Sequence, residues 1–136
     1  MKSVAIRWGA VAGALLLAEA VLVGAAFAWV AIYSHLLNPG QPIAIYQGHA
    51  QASGPWVSIL VGMPLFAAIG CRLPGPPATA WAFIAAYLVL DAAVLLAAAG
   101  AALPAGLVVA SYASKGLALV AGRRCQRARR PAAAGA

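Results

Sequence analysis

Polar residues are spaced so widely along this chain that its apolar stretches have no water-facing side. Four apolar blocks lie at about residues 4–33, 54–70, 78–99 and 104–122. A surface helix of a soluble protein alternates an apolar stripe with a charged face. Here the long first block holds a single acid, Glu19, beyond Arg7. Blocks of about 20 mostly apolar residues are what a helix needs to cross a bilayer. The pattern predicts an all-α integral membrane protein, a four-transmembrane-helix bundle. The first block also has the outline of a signal peptide, with Lys2 and Arg7, an apolar run, then Ala18-Glu19-Ala20. Its apolar run continues well beyond that point, longer than a signal sequence requires, so it reads as a retained span.

The connections are a twenty-residue segment (34–53), a Pro-rich turn (71–77) and a Gly/Ala/Pro turn (100–104). The first connection carries no charge. Asn38-Pro39-Gly40 is a turn signal, and Pro42 is placed to open a short helix reaching about Ala52. Ile43, Tyr46 and Ala50 share one face of it. This predicts a short outer interfacial helix, an ordered cap rather than a loose linker. In the second block Pro64 removes a backbone donor, which predicts a kink with Gly62 beside it as the hinge. The freed carbonyl of Leu60 then needs a partner such as Ser58, water or another helix.

Small residues recur every four positions. Gly106, Ala110, Ser114, Ala118 and Gly122 form one stripe, Ala20, Gly24 and Ala28 a second, and Gly9 with Gly13 a third. Such stripes let helices approach closely. They are expected to pack within the bundle, with an interface to another chain as the alternative.

Composition agrees with the pattern. The chain is 65% hydrophobic and 8% charged, with mean hydropathy +0.92, whereas soluble domains carry about 25% charged residues. A soluble domain and a disordered chain are excluded, and 136 residues allow one domain. The alanine-rich usage suggests a bacterial source. Net charge is +7, and its placement sets orientation. Lys2 and Arg7 precede the first span, Arg72 separates the second and third, and Arg123, Arg124, Arg127, Arg129 and Arg130 follow the fourth. Four spans put all eight on one side, so both termini are expected in the cytoplasm, across the inner membrane. Trp8 and Trp81 at inner ends, with Trp29, Tyr33 and Trp56 at outer ends, fit two aromatic belts. The basic tail, residues 123–136, is expected to be disordered and to lie on anionic lipid. Without a folded module or interleaved aromatics it gives no sign of nucleic-acid binding. Cys71 and Cys125 are too few for a disulfide framework and, on the cytoplasmic side, are expected to stay reduced.

The acids carry the strongest signal. Both acidic residues, Glu19 and Asp91, fall inside spans, as does Lys115. A charge at the bilayer centre costs about 2.5–3.5 kcal/mol on insertion scales and normally faces a bundle interior or an aqueous cavity. Glu19 is near the middle of its span. Asp91 is about 4 Å outward of the midplane and Lys115 about 4 Å inward. A flexible lysine covers part of that gap. The expected site is an intramembrane polar cluster of Glu19, Asp91, Lys115, Ser111 and Tyr87, with Tyr112 on the other side of the fourth span. One lysine neutralises one carboxylate, so an Asp91–Lys115 pair is expected, leaving Glu19 as the proton-exchanging group. His35, Tyr46 and His49 are placed to line an outer pocket. Two histidines in one loop region fall short of the three or four ligands of a metal site. No metal, cofactor or catalytic residue is assigned, because the nucleotide, hydrolase and redox motifs are absent.

Gly13-Ala14-Leu15-Leu16-Leu17-Ala18-Glu19-Ala20 resembles the first-helix glutamate neighbourhood of small multidrug resistance transporters, which are also four-span chains of similar size. The resemblance covers these eight residues. It implies proton-coupled export of cations by a dimer, with Glu19 as the shared proton and substrate site. The long outer connection, the Asp91 and Lys115 pair, and the lack of an aromatic-Ser-Gly-like segment in the third span depart from that pattern. The likeness serves as an analogy for a transport function.

Three functions are expected, in this order. The first is a non-enzymatic accessory or structural subunit of a membrane assembly. The second is a proton-coupled small transporter or ion pathway using Glu19. The third is a haem- or quinone-related membrane protein using His35 or His49. The partners implied are the lipid bilayer, anionic lipid at the tail, and a homo-oligomer or larger membrane complex.

Overall fold

The computed structural model describes residues 5–98 and 105–133, with 97, 98 and 127–133 as backbone only. The described residues are helical, without strands. Helix α1 is Trp8–Ile32, α2 is Ile43–Arg72, α3 is Pro77–Ala98 and α4 is Ala105–Ala133. All four are long and apolar enough to cross a membrane. The expected turn at 100–104, the start of the first block at Val4, and Lys2 lie outside the described residues.

Two boundaries differ from the sequence expectation. The outer interfacial helix is not a separate element. It is the first part of α2, which runs 30 residues without a break, about 45 Å at 1.5 Å per residue. That exceeds a hydrocarbon core of about 30 Å, so one helix serves as both cap and span. The helix remains continuous through Pro55 and Pro64, and the break expected near residue 53 does not occur. At the other end of the chain, the tail expected to be disordered continues α4 as helix to Ala133.

The helices form a ring in the order α1, α2, α4, α3. The α2–α4 interface is the most extensive. Helix α1 packs on both α2 and α3, and α3 touches α4 only thinly. Sequence neighbours α2 and α3 therefore sit diagonally, and the 73–76 connection crosses the basic end of the bundle. Gly75 holds φ +110° there, and a Cβ at that position would meet Thr79 Oγ1 and the Arg7 side chain. Only glycine suits both the backbone angle and the space. Arg123 on α4 donates to the carbonyls of Leu73 at 2.8 Å and Gly75 at 3.0 Å, fastening this turn to the end of α4.

The neutral end is fastened by aromatic hydroxyls. Helix α1 passes into a π-helical turn, Tyr33–Leu37. Tyr46 accepts a hydrogen bond from the Gln41 amide at 2.9 Å and donates to the Asn38 carbonyl at 3.0 Å. Tyr33 stacks on His49 with ring centroids 3.5 Å apart. The expected ordered cap is present in this form.

The core lies toward the basic end. Phe66 of α2 meets Phe83 and Tyr87 of α3 across the diagonal, at ring centroids of 5.3 and 4.7 Å. Val11, Ala18 and Leu22 close it from α1, and Leu119 from α4.

Candidate functional site

The site builds up from the α2–α4 interface. Buried residues of α4 fall at Ser111, Lys115, Leu119 and Gly122, an i, i+4, i+8, i+11 face. Facing them on α2 are Ser58, Gly62, Phe66 and Gly70. Near the basic end the two backbones touch. A Cβ on Gly122 would run into the Ala67 carbonyl and lie 2.9 Å from the Cys71 amide, and one on Gly70 would run into the Leu119 carbonyl. One level up, Gly62 makes room for Lys115, whose Cε would lie 2.7 Å from an added Cβ.

Lys115 is fully buried. Its Nζ donates to Ser58 Oγ and to the Tyr87 hydroxyl, both at 2.7 Å. It lies 5.0, 5.7 and 6.0 Å from the ring centres of Tyr87, Tyr112 and Phe66. Two hydroxyl oxygens and three aromatic faces thus replace the ammonium's water shell, each contributing to its stabilisation. Ser111 extends the network, with its Oγ 3.4 Å from that of Ser58.

Among the described residues no ion pair joins Lys115 to either acid, which corrects the expected Asp91–Lys115 pair. Their depths explain it. The ammonium reaches Tyr87, which stands one helical turn short of Asp91 on α3.

Above the lysine, toward the neutral end, a cavity of about 330 Å³ opens between all four helices. Its walls are mostly apolar. Its polar groups are Glu19 from α1, Gln51 and Ser58 from α2, Asp91 from α3, and Ser111 and Tyr112 from α4. Glu19 Oε1 and the Tyr112 hydroxyl are buried there without a hydrogen-bond partner. Burying an unpaired polar oxygen costs free energy.

The structure therefore brings together all five residues of the expected cluster, Glu19, Asp91, Lys115, Ser111 and Tyr87. It adds Ser58 and Phe66, which sequence reasoning left out of the site. Their signal was available in the four-residue spacing 58, 62, 66, 70, which gives one helix face two glycines, a hydroxyl and a ring. Gly62 and Pro64, the expected hinge, face different surroundings. Gly62 is buried against Lys115, while Pro64 is exposed on the other side of a continuous helix.

The three residues expected to line an outer pocket do not all come together. Tyr46 and His49 gather around Tyr33, while His35 is exposed on the π-helical turn. No cluster of three or more metal-ligating side chains occurs among the described residues.

Fold and site together define a four-helix protein of multi-pass membrane type, with a buried lysine below a carboxylate-lined cavity. Compared with family models, curated proteins and solved structures, the chain matches none.

Proposed function

We propose that this chain is a multi-pass protein of the inner (cytoplasmic) membrane, with both termini cytoplasmic, and that its cavity is the proton-exchanging site of a small transporter or ion pathway. The observation that carries this reading is Glu19 Oε1. It is buried and unpartnered, against a cavity that Asp91 also lines. Mid-span carboxylates beside a cavity are the usual equipment of proton relays. In this reading Glu19 exchanges the proton. Lys115, fixed by Ser58 and Tyr87, keeps the site's net charge low enough for it to exist in the bilayer. Asp91 and Tyr112 line the way toward the neutral end. The test is proton flux into liposomes holding the purified protein, followed with an internal pH-sensitive dye. Glu19→Gln is expected to abolish flux while the variant remains folded, and equal flux in the variant and the parent overturns the reading.

A second reading, a non-enzymatic accessory subunit of a membrane assembly, is favoured by a separate observation. Among the described residues nothing packs against the small-residue stripes of α1. Gly9, Gly13 and Gly24 have no atom near the place of a Cβ, and Ala20 and Ala28 are exposed. In the membrane that face meets lipid or another helix.

A further inference from the structure

Cys71 is the last residue but one of α2, and Cys125 lies near the end of the apolar part of α4, 54 residues further along the chain. Their sulfur atoms are 3.6 Å apart. The frame that holds them is rigid. One residue before Cys71 and three before Cys125, Gly70 and Gly122 bring the two backbones into contact. Arg123 and Gln126 tie the same stretch of α4 to the Leu73 carbonyl. Cys125 is exposed and Cys71 half-buried, so a dissolved reagent reaches at least one sulfur.

We propose that Cys71 and Cys125 form a redox-active dithiol, which a low-molecular-weight disulfide converts into an intramolecular disulfide locking α2 to α4. The exposed Cys125 thiolate attacks one sulfur of the oxidant, forming a mixed disulfide and expelling one thiolate. The Cys71 thiolate then attacks Cys125 Sγ, forms the Cys71–Cys125 bond and expels the second thiolate. The protein loses two protons and two electrons, and the oxidant becomes two thiols. The sulfurs close by about 1.5 Å to reach bonding distance, a shift that the exposed side chain of Cys125 is free to supply. In a reducing compartment the resting form is the dithiol, so the bond reports a change in redox state rather than a permanent staple.

The test uses the full chain in nanodiscs, incubated with oxidised glutathione and read by intact mass and maleimide labelling. The expected product is monomeric, lighter by two hydrogens, free of glutathione adduct, and without its two maleimide-reactive thiols, which dithiothreitol restores. Cys71→Ser is expected to stop at a glutathione adduct on Cys125. A parent protein that keeps both thiols, retains one or two glutathione adducts, or links only into dimers overturns the proposal. Should the serine variant fail to fold, the mass of the parent decides alone.

Discussion

Lys115 is the residue on which the neighbouring chemistry depends. Its ammonium is fully buried and has two hydroxyl acceptors, Ser58 and Tyr87, at 2.7 Å. Each acceptor is therefore expensive to lose. Tyr87→Phe keeps the ring packed on Phe66 but removes one acceptor, and the variant is expected to be about 1–3 kcal/mol less stable. Ser58→Ala removes the other and should cost a similar amount. Thermal unfolding in detergent measures both. The double variant is expected to lose more than the sum of the two, because it strips the ammonium of both oxygens at once. Additive losses would mean that water takes over the vacated positions. At this scale the sequence was informative about which residues matter, since three charges in apolar spans can hardly be accidental. It was silent on the exact partner. Depth along the helices can be counted from the chain, but the rotation that turned Lys115 toward Ser58 cannot.

Helix α2 shows why rotation and boundaries resisted reading. An apolar helix in a bilayer has no wet face to set the phase of its pattern, so small-residue stripes were the available guide. On α4 they guided only in part. Gly106 and Ala110 are exposed, while Ser114 is half-buried, Ala118 packs on the core and Gly122 is buried. The buried face is instead 111, 115, 119, 122. The expected start of the second block near Gly54 also misled, because that position and Pro55 lie inside an existing helix. The four long apolar helices were legible, since length and apolarity fix them. The glycines that matter can now be separated from those that do not. Gly122→Ala and Gly70→Ala would press a methyl group onto a neighbouring backbone carbonyl, and each is expected to destabilise by about 1–3 kcal/mol as overpacking. Gly106→Ala and Gly116→Ala meet open space and replace a poor helix former with the best one. They should be neutral or slightly stabilising. Unfolding midpoints for the four variants check the set, and equal effects at Gly122 and Gly116 would contradict the backbone contact.

For the whole molecule the open questions are orientation and company. Basic residues gather at one end of the bundle, with Arg7, Arg72, Arg123 and Arg124 around the α2–α3 turn and the end of α4. The other described end carries no formal charge. The positive-inside rule then predicts that a reporter enzyme active only outside the cytoplasm stays silent when fused after Ala136, and becomes active when inserted between Gly40 and Gln41. The reverse pattern would invert the molecule and move Cys71 and Cys125 to an oxidising side. Company is decided by α1. Its small-residue face is uncovered at Gly9, Gly13, Ala20, Gly24 and Ala28, and a face of that kind costs nothing against lipid but gains packing against a second helix. If α1 is the contact between copies or with another subunit, Gly24→Leu should split the assembly while leaving the cavity and the Lys115 network intact, since no atom of the described residues lies near the place of its Cβ. Native mass analysis of the protein extracted in mild detergent measures this directly. A larger complex that Gly24→Leu reduces to the single chain supports the subunit reading. A single chain in both cases leaves α1 facing lipid, and the function then rests with the carboxylates of the cavity.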